Sequence, residues 1–212
     1  MARRDHSLDS RITAAAFEEF SEKGYAGASL RKIAEKAGAT VGAIQIRYKS
    51  KDELFVSLLK PFLSEIEAAF QSIRSDYYSG ADEWIPARLR ASIQCESAVI
   101  LHLIFNHYDE AVLLLYQSAG SSLEGFFDTL VARKIEESSA FFRSTGYAGV
   151  DEQLLGLVIS AQFDSYRRII ASCRDRETAE RYMNALMIYH FGGWTALFDA
   201  ADHTREMDEN EV

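Results

Sequence analysis

The stretch Gly24–Leu54 reads GYAGASLRKIAEKAGATVGAIQIRYKSKDEL, and its punctuation decides the fold of the N-terminal part of the chain. Ser29 is suited to cap a short helix over Leu30–Ala37, and Gly38 then breaks the pattern. Thr40 is placed to cap a second short helix running to about Tyr48. Ile33, Ala34 and Ala37 give the first helix an apolar face, and Val41, Ile44 and Tyr48 do the same for the second. The small residues Ala34, Ala37, Gly38, Gly42 and Ala43 let the two helices cross closely. Two short helices joined by a tight Gly-bearing turn have the geometry of a helix-turn-helix. Periodicity alone fits a structural hairpin better than a reader of DNA. Ser29, Arg31 and Lys32 start the first helix, where side chains and backbone N–H groups can meet phosphate.

The pattern extends outward from there. Ser7–Gly24 predicts a helix, with Ile12, Ala16 and Phe20 at intervals of four and Ala15 and Phe17 widening the stripe. Downstream, Ser50 and Glu53 have capping-box spacing and open a long helix into the low 70s, with a bend expected at Pro61. A linker at Asp76–Ala81 precedes a helix from Asp82 to about His107. Asp109–Ala119 predicts a short apolar helix ending at Gly120, and Ser121 with Glu124 a second capping box opening a helix to about Ser144. After a loop at Gly146 and Gly149, helices are expected over Asp151 to about Cys173 and Asp175 to about Ala201, with a frayed acidic tail from Asp202. There is no convincing strand signal and no internal repeat. The reading is an all-α protein of about nine helices, with a helix-turn-helix domain over residues 1–50 and a C-terminal helical domain over 51–212.

Composition agrees with that reading and narrows the function classes. The 212 residues are 48% hydrophobic with only 2 Pro and 12 Gly, which argues against disorder and favours long helices. The net charge of -9 is a poor match for DNA at first sight, but it is unevenly placed. Residues 1–60 carry 11 Lys/Arg and 8 Asp/Glu, net +3, whereas residues 61–212 carry 12 and 24, net -12. Nucleic-acid contacts confined to one end fit this split. Cys95 and Cys173 belong to no CxxC pair and sit in apolar helical contexts, so both are expected as buried free thiols. No apolar run follows the basic start MARRDHSLDS, and none reaches spanning length. A soluble, cytoplasmic protein is expected.

The residues from Gly24 to Ala34, then Ala37-Gly38-Ala39-Thr40-Val41-Gly42-Ala43-Ile44, resemble the N-terminal signature of the tetracycline-repressor (TetR) family. Tyr48-Lys49-Ser50-Lys51-Asp52-Glu53-Leu54 is similar to its end, so that the resemblance spans roughly Ile12–Leu59. The resemblance implies a homodimeric transcription regulator, usually a repressor, released from a near-palindromic operator by a small-molecule inducer. Its C-terminal domain would bind the ligand and form the dimer. Residue by residue, Thr40 would cap the recognition helix and meet a phosphate, with Val41, Ala43, Gln45 and Ile46 facing base edges and Gly42 allowing close approach. Tyr48 and Lys51 would contact the backbone, and Arg31 would sit beside the groove. Arg3, Arg4 and Arg11 would add a non-specific basic arm, or for Arg3 and Arg4 a plain solvated terminus.

The departures from the family pattern concern specificity. Ala28 stands where Thr is common, Ala39 where Val is, and Gln45-Ile46-Arg47 where Tyr leads and His often closes. Gln45 is suited to a bidentate contact with adenine, and Arg47 to phosphate or guanine. Ile46 has two readings, contact with a thymine methyl or membership of the hairpin core.

In the C-terminal body, apolar faces suggest a lining of Phe62, Ile66, Phe70, Leu89, Ile93, Ile100, Phe105, Leu115, Phe126, Phe127 and Leu130, with His102, Asn106, Tyr108 and Tyr116 as polar anchors. That lining suits an apolar or aromatic effector, and ordinary core is the alternative for each aromatic. The resemblance places the last two helices at a dimer interface, with Leu154, Leu157, Val158, Ala161, Ile169, Tyr182, Leu186, Tyr189, Gly193 and Leu197 as candidates. A monomer core competes for much of that surface. His102, His107, Asp109 and Glu110 match no metal-ligand spacing, and no HExxH or GxSxG element occurs. No metal, cofactor or catalytic activity is expected.

Overall fold

In a computed structural model of the protein, the described residues are 6–78, 95, 98–145, 150–173 and 175–210. Among them the regular elements are α1 (His6–Gly27), α2 (Leu30–Ala37), α3 (Val41–Gln45), α4 (Lys51–Tyr78), α5 (Ala98–Asn106), α6 (Tyr108–Tyr116), α7 (Phe126–Thr145), α8 (Glu152–Ser172) and α9 (Arg176–Asn210). The described fold is therefore all-α. Arg3, Arg4, Leu89, Ile93, the expected cap at Asp82 and the glycine loop at Gly146 and Gly149 lie outside the described residues. No single helix among the described residues is long and apolar enough to cross a membrane.

Packing divides the chain into two compact units. The first joins residues up to Glu65 with His107–Phe126, so α1–α3, the first half of α4 and α6 belong together. Its core contains Ile12, Phe20, Ile33, Ile44, Leu54, Phe55 and Leu59, all fully buried. Phe20 and Tyr25 both meet the Phe55 ring edge-on, with centroids 4.9 and 5.2 Å away. At Gly24 the chain takes φ 66° and ψ 167°, which breaks the helical path within α1. A side chain there would be strained by the positive φ, and its Cβ would lie 2.8 Å from Gln117 Oε1. That closeness has a use. The next residue, Tyr25, donates its backbone N–H to Gln117 O at 2.7 Å, tying α1 to the segment after α6.

The second unit joins Ile66–Asn106 with the chain from Phe127 onward. One buried cluster within it contains Phe141, Phe142, Leu155, Ile159, Phe163, Trp194 and Phe198 from α7, α8 and α9. A polar pair is set into the same region. The Gln162 carbonyl accepts from Trp194 Nε1 at 2.9 Å, and its amide donates to the Tyr166 hydroxyl at 3.0 Å.

Several helix ends differ from the sequence expectation. α4 continues through Pro61 and on to Tyr78, so the first residues of the expected linker are helical. α7 begins at Phe126 rather than after Ser121, because Gly125 at φ 74° interrupts the path. Ser121 and Glu124 still act as expected of capping residues, but around a turn: Ser121 Oγ accepts from Leu123 N, and the Glu124 carboxylate from Gly120 N. α9 runs to Asn210, well into the acidic tail expected to fray. Cys173 is buried but Cys95 is exposed, so the expectation of two buried thiols is corrected for Cys95.

Candidate nucleic-acid interface

The helix-turn-helix is assembled by its caps. Ser29 is the N-cap of α2, its hydroxyl accepting from Arg31 N at 3.3 Å. Gly38 closes α2 at φ 60°, with its N–H turned back to carbonyls of the last turn. Thr40 caps α3, accepting from Ala43 N at 3.1 Å. Of α3 only Ile44 is fully buried, which seats the helix on the core and leaves its other faces outward.

Among the residues expected to meet DNA, Arg31, Thr40, Gly42 and Gln45 are exposed, and Val41, Ala43 and Tyr48 are half-buried. Ile46 is 85% exposed. Such exposure excludes the hairpin-core reading of Ile46 and leaves an apolar side chain standing in water beside the Gln45 amide. An exposed branched apolar residue next to a two-way hydrogen-bonding amide is a pair able to read a thymine methyl and an adenine edge.

The structure commits the two expected cations differently. The Arg47 guanidinium is ion-paired with the Asp9 carboxylate of α1 and also donates to Ala43 O at 3.1 Å. Lys51 Nζ donates to Tyr25 O at 2.7 Å and Ala28 O at 3.2 Å, and lies 4.3 Å from the centre of the Tyr25 ring. Both side chains brace the fold on which α3 sits. Burial, then the Asp52 carboxylate, raises the Tyr25 phenol above its ordinary pKa, so it stays neutral beside Lys51. Lys36 is a third internal tie. Its ammonium meets Glu18, Glu19 and Glu22 of α1 within 3.4 Å, and these carboxylates hold its pKa well above the usual lysine value. Neither Asp9 nor Gln117 was singled out by sequence, because nothing local marks a side chain whose partner is far along the chain.

The candidate effector residues fall on both units. Phe62, Tyr108, Tyr116 and Phe126 belong to the first, and Ile66, Phe70, His102, Phe105, Asn106, Phe127 and Leu130 to the second. Phe62, Ile66 and Phe105 are buried, Tyr116 is exposed, and His102 and Asn106 form an exposed pair with Nε2 and Nδ2 at 2.9 Å. His107 stacks on Phe62 with centroids 5.2 Å apart, its Nε2 lying 3.0 Å from Glu65. Among the dimer candidates, Leu154, Leu157, Ala161, Tyr182, Tyr189 and Gly193 are exposed, Val158, Leu186 and Leu197 half-buried, and Ile169 buried.

A fold of this order with a capped helix-turn-helix at its N-terminus is that of a helix-turn-helix protein. Residues 12–58 match the family model described as "Bacterial regulatory proteins, tetR family". Over that segment the chain is similar to members of that family. It is 27% identical over 157 residues to the HTH-type transcriptional regulator RutR of Escherichia coli O157:H7, covering 73% of this chain and 71% of that protein. Two solved structures share the fold. Ketosteroid transcriptional regulator KstR2 of Mycobacterium tuberculosis superposes with TM-score 0.62 at 18% identity, over 91% of this chain and 96% of that one. Transcriptional regulator FadR from Bacillus subtilis, in complex with stearoyl-CoA, gives 0.59 at 17% identity, over 87% and 98%.

Proposed function

We propose that this protein is a sequence-specific DNA-binding transcriptional regulator, a homodimeric repressor in the cytoplasm released from a palindromic operator by a small molecule. Residues 1–50 are its DNA-binding domain and residues 51–212 hold the effector and the dimer contacts. The observation that carries the reading is the outward Gln45–Ile46 pair at the end of a Thr40-capped helix. The 85% exposed Ile46 beside the Gln45 amide is free to meet an apolar surface such as a thymine methyl.

The dimer reading rests on α8 and α9. Leu157 is 64% exposed, Ile188 75% and Tyr189 72%, and Gly192 and Gly193 have open space where a Cβ would stand. Exposed large apolar residues beside bare backbone suit close helix packing by a second copy. Recognition helices about 34–36 Å apart would then meet successive major grooves, and an effector preferring another spacing would release the DNA.

The test is a gel-shift titration of the protein against DNA upstream of its own gene, with random duplex as control and salt varied. A segment bound at least tenfold more tightly than random duplex is expected. Equal binding to all duplexes would remove the proposal. A DNA-independent ligand sensor is the second reading, favoured by the internal engagement of Arg47 and Lys51. Because those two brace the fold, exposed Arg31 and Gln45 are the residues that separate the readings. Their alanine variants lose operator binding under the first and change nothing under the second.

A further inference from the structure

Arg133 on α7 is held from two sides. Its Nη1 donates to Glu67 Oε2 of α4 at 2.8 Å, and its guanidinium carbon lies 4.3 Å from the centre of the Phe70 ring. One contact fixes an edge of the planar group and the other fixes a face. The remaining edge is formed by Nε and Nη2, both shut off from solvent and without a hydrogen-bond partner. The exposed third of the side chain, 32%, therefore lies elsewhere on it. Nε–H and Nη2–H point side by side, the fork that receives both oxygens of a planar oxyanion.

From this geometry we infer that Arg133 is the anchor for a carboxylate-bearing effector with an apolar body, held by the Nε–Nη2 fork. The inference rests on the reading of the second unit as the effector domain and names the chemistry of its ligand. Folded proteins rarely leave buried N–H groups unpaired, because such groups lose water and gain nothing in return. An arriving carboxylate supplies both missing bonds at once, so it favours the state that holds it over the state that does not. A carboxylate is preferred over a phosphate monoester because it brings one charge rather than about two into a site already containing Glu67. The fork is closed to solvent here, so the ligand enters as the side chains between α4 and α7 part.

The test uses the intact protein, isothermal titration calorimetry and matched probes: decanoate with decanamide, 2-naphthoate with 2-naphthamide, and decyl phosphate. At least one carboxylate should bind tenfold or more tightly than its amide. Arg133→Met, which keeps the contact with Phe70, should abolish that preference, and Arg133→Lys, which keeps the charge without the fork, should weaken carboxylate binding about tenfold. If Arg133→Met does not fold, Arg133→Lys carries the comparison alone. Equal carboxylate affinity in the variants, or decyl phosphate as the tightest ligand, would overturn the anchor. Amides binding as well as acids would overturn it while leaving the effector domain in place. Binding of no probe would overturn both.

Discussion

Three cations of the first compact unit and one of the second are used in contrasting ways. In the first, Lys36 has three carboxylates, Lys51 has two carbonyls and an aromatic face, and Arg47 has Asp9 and a carbonyl. Each cation is consumed in bracing one geometry. In the second, Arg133 keeps a fork unused, and the outer sides of α8 and α9 carry exposed Leu157, Ile188 and Tyr189. A surface that reads a groove works best when its shape is fixed in advance, since every degree of freedom lost on binding costs affinity. A unit that responds to a ligand must instead hold groups whose energy changes when the ligand arrives.

The sharpest way to break that contrast is to loosen the first unit. Phe55→Ala removes a fully buried ring meeting both Phe20 and Tyr25, and a loss of about 3–5 kcal/mol is expected in denaturant unfolding. Operator binding should disappear with it. If the variant unfolds as late as the parent, the aromatic cluster is not what holds the unit.

A smaller effect is expected where the second unit does resemble the first. Gln162→Leu removes the buried acceptor of Trp194 Nε1, at about 1–3 kcal/mol. Thermal melting followed by Trp fluorescence reads it directly. Gly24→Ala is expected to cost about 1–3 kcal/mol, because φ 66° with ψ 167° is a region essentially confined to glycine, with crowding against Gln117 adding to it. A neutral outcome there would mean that the tie between Gly24–Tyr25 and Gln117 is slack.

Gln45→Ala should change unfolding by less than about 0.5 kcal/mol, as an exposed position does. It should nevertheless cost operator affinity about 1–3 kcal/mol in gel shift, changing preference at one base position. The smallest effect concerns His190, whose pKa burial lowers. The unfolded chain then takes up the proton first, so this histidine's contribution is complete above its unfolded value of about 6.5 and fades as pH falls below it. His190→Phe should flatten the stability profile as pH falls below about 6.5, and an unchanged slope would assign the acid sensitivity elsewhere.

Much of the fold was legible because helix ends are local events. Ser29, Thr40, Asp151 and Asp175 each accept from a backbone N–H two or three residues on. The same local logic misplaced the start of α7. A capping-box spacing does not reveal that Gly125 will adopt φ 74° and confine the pattern to a turn. The candidate DNA-contact residues were legible only in part. Position along α3 marked Gln45 and Ile46, but their exposure depended on how Ile44 seats the helix. Arg47 and Lys51 were read as DNA contacts because both are cations at the right place in the motif.

An all-α chain with a capped N-terminal helix-turn-helix, and a basic end on an acidic body, followed from the residues in their order along the chain. Those properties reside in neighbouring residues and in charge counts, which need no third dimension. Only the tertiary structure decided which cations are spent inside and which remain available. Asp9 lies 38 residues before Arg47, the Tyr25 carbonyl 26 before Lys51, and Glu67 66 before Arg133. A charge pair over such distances exists only once packing brings its helices together, because no local periodicity encodes it.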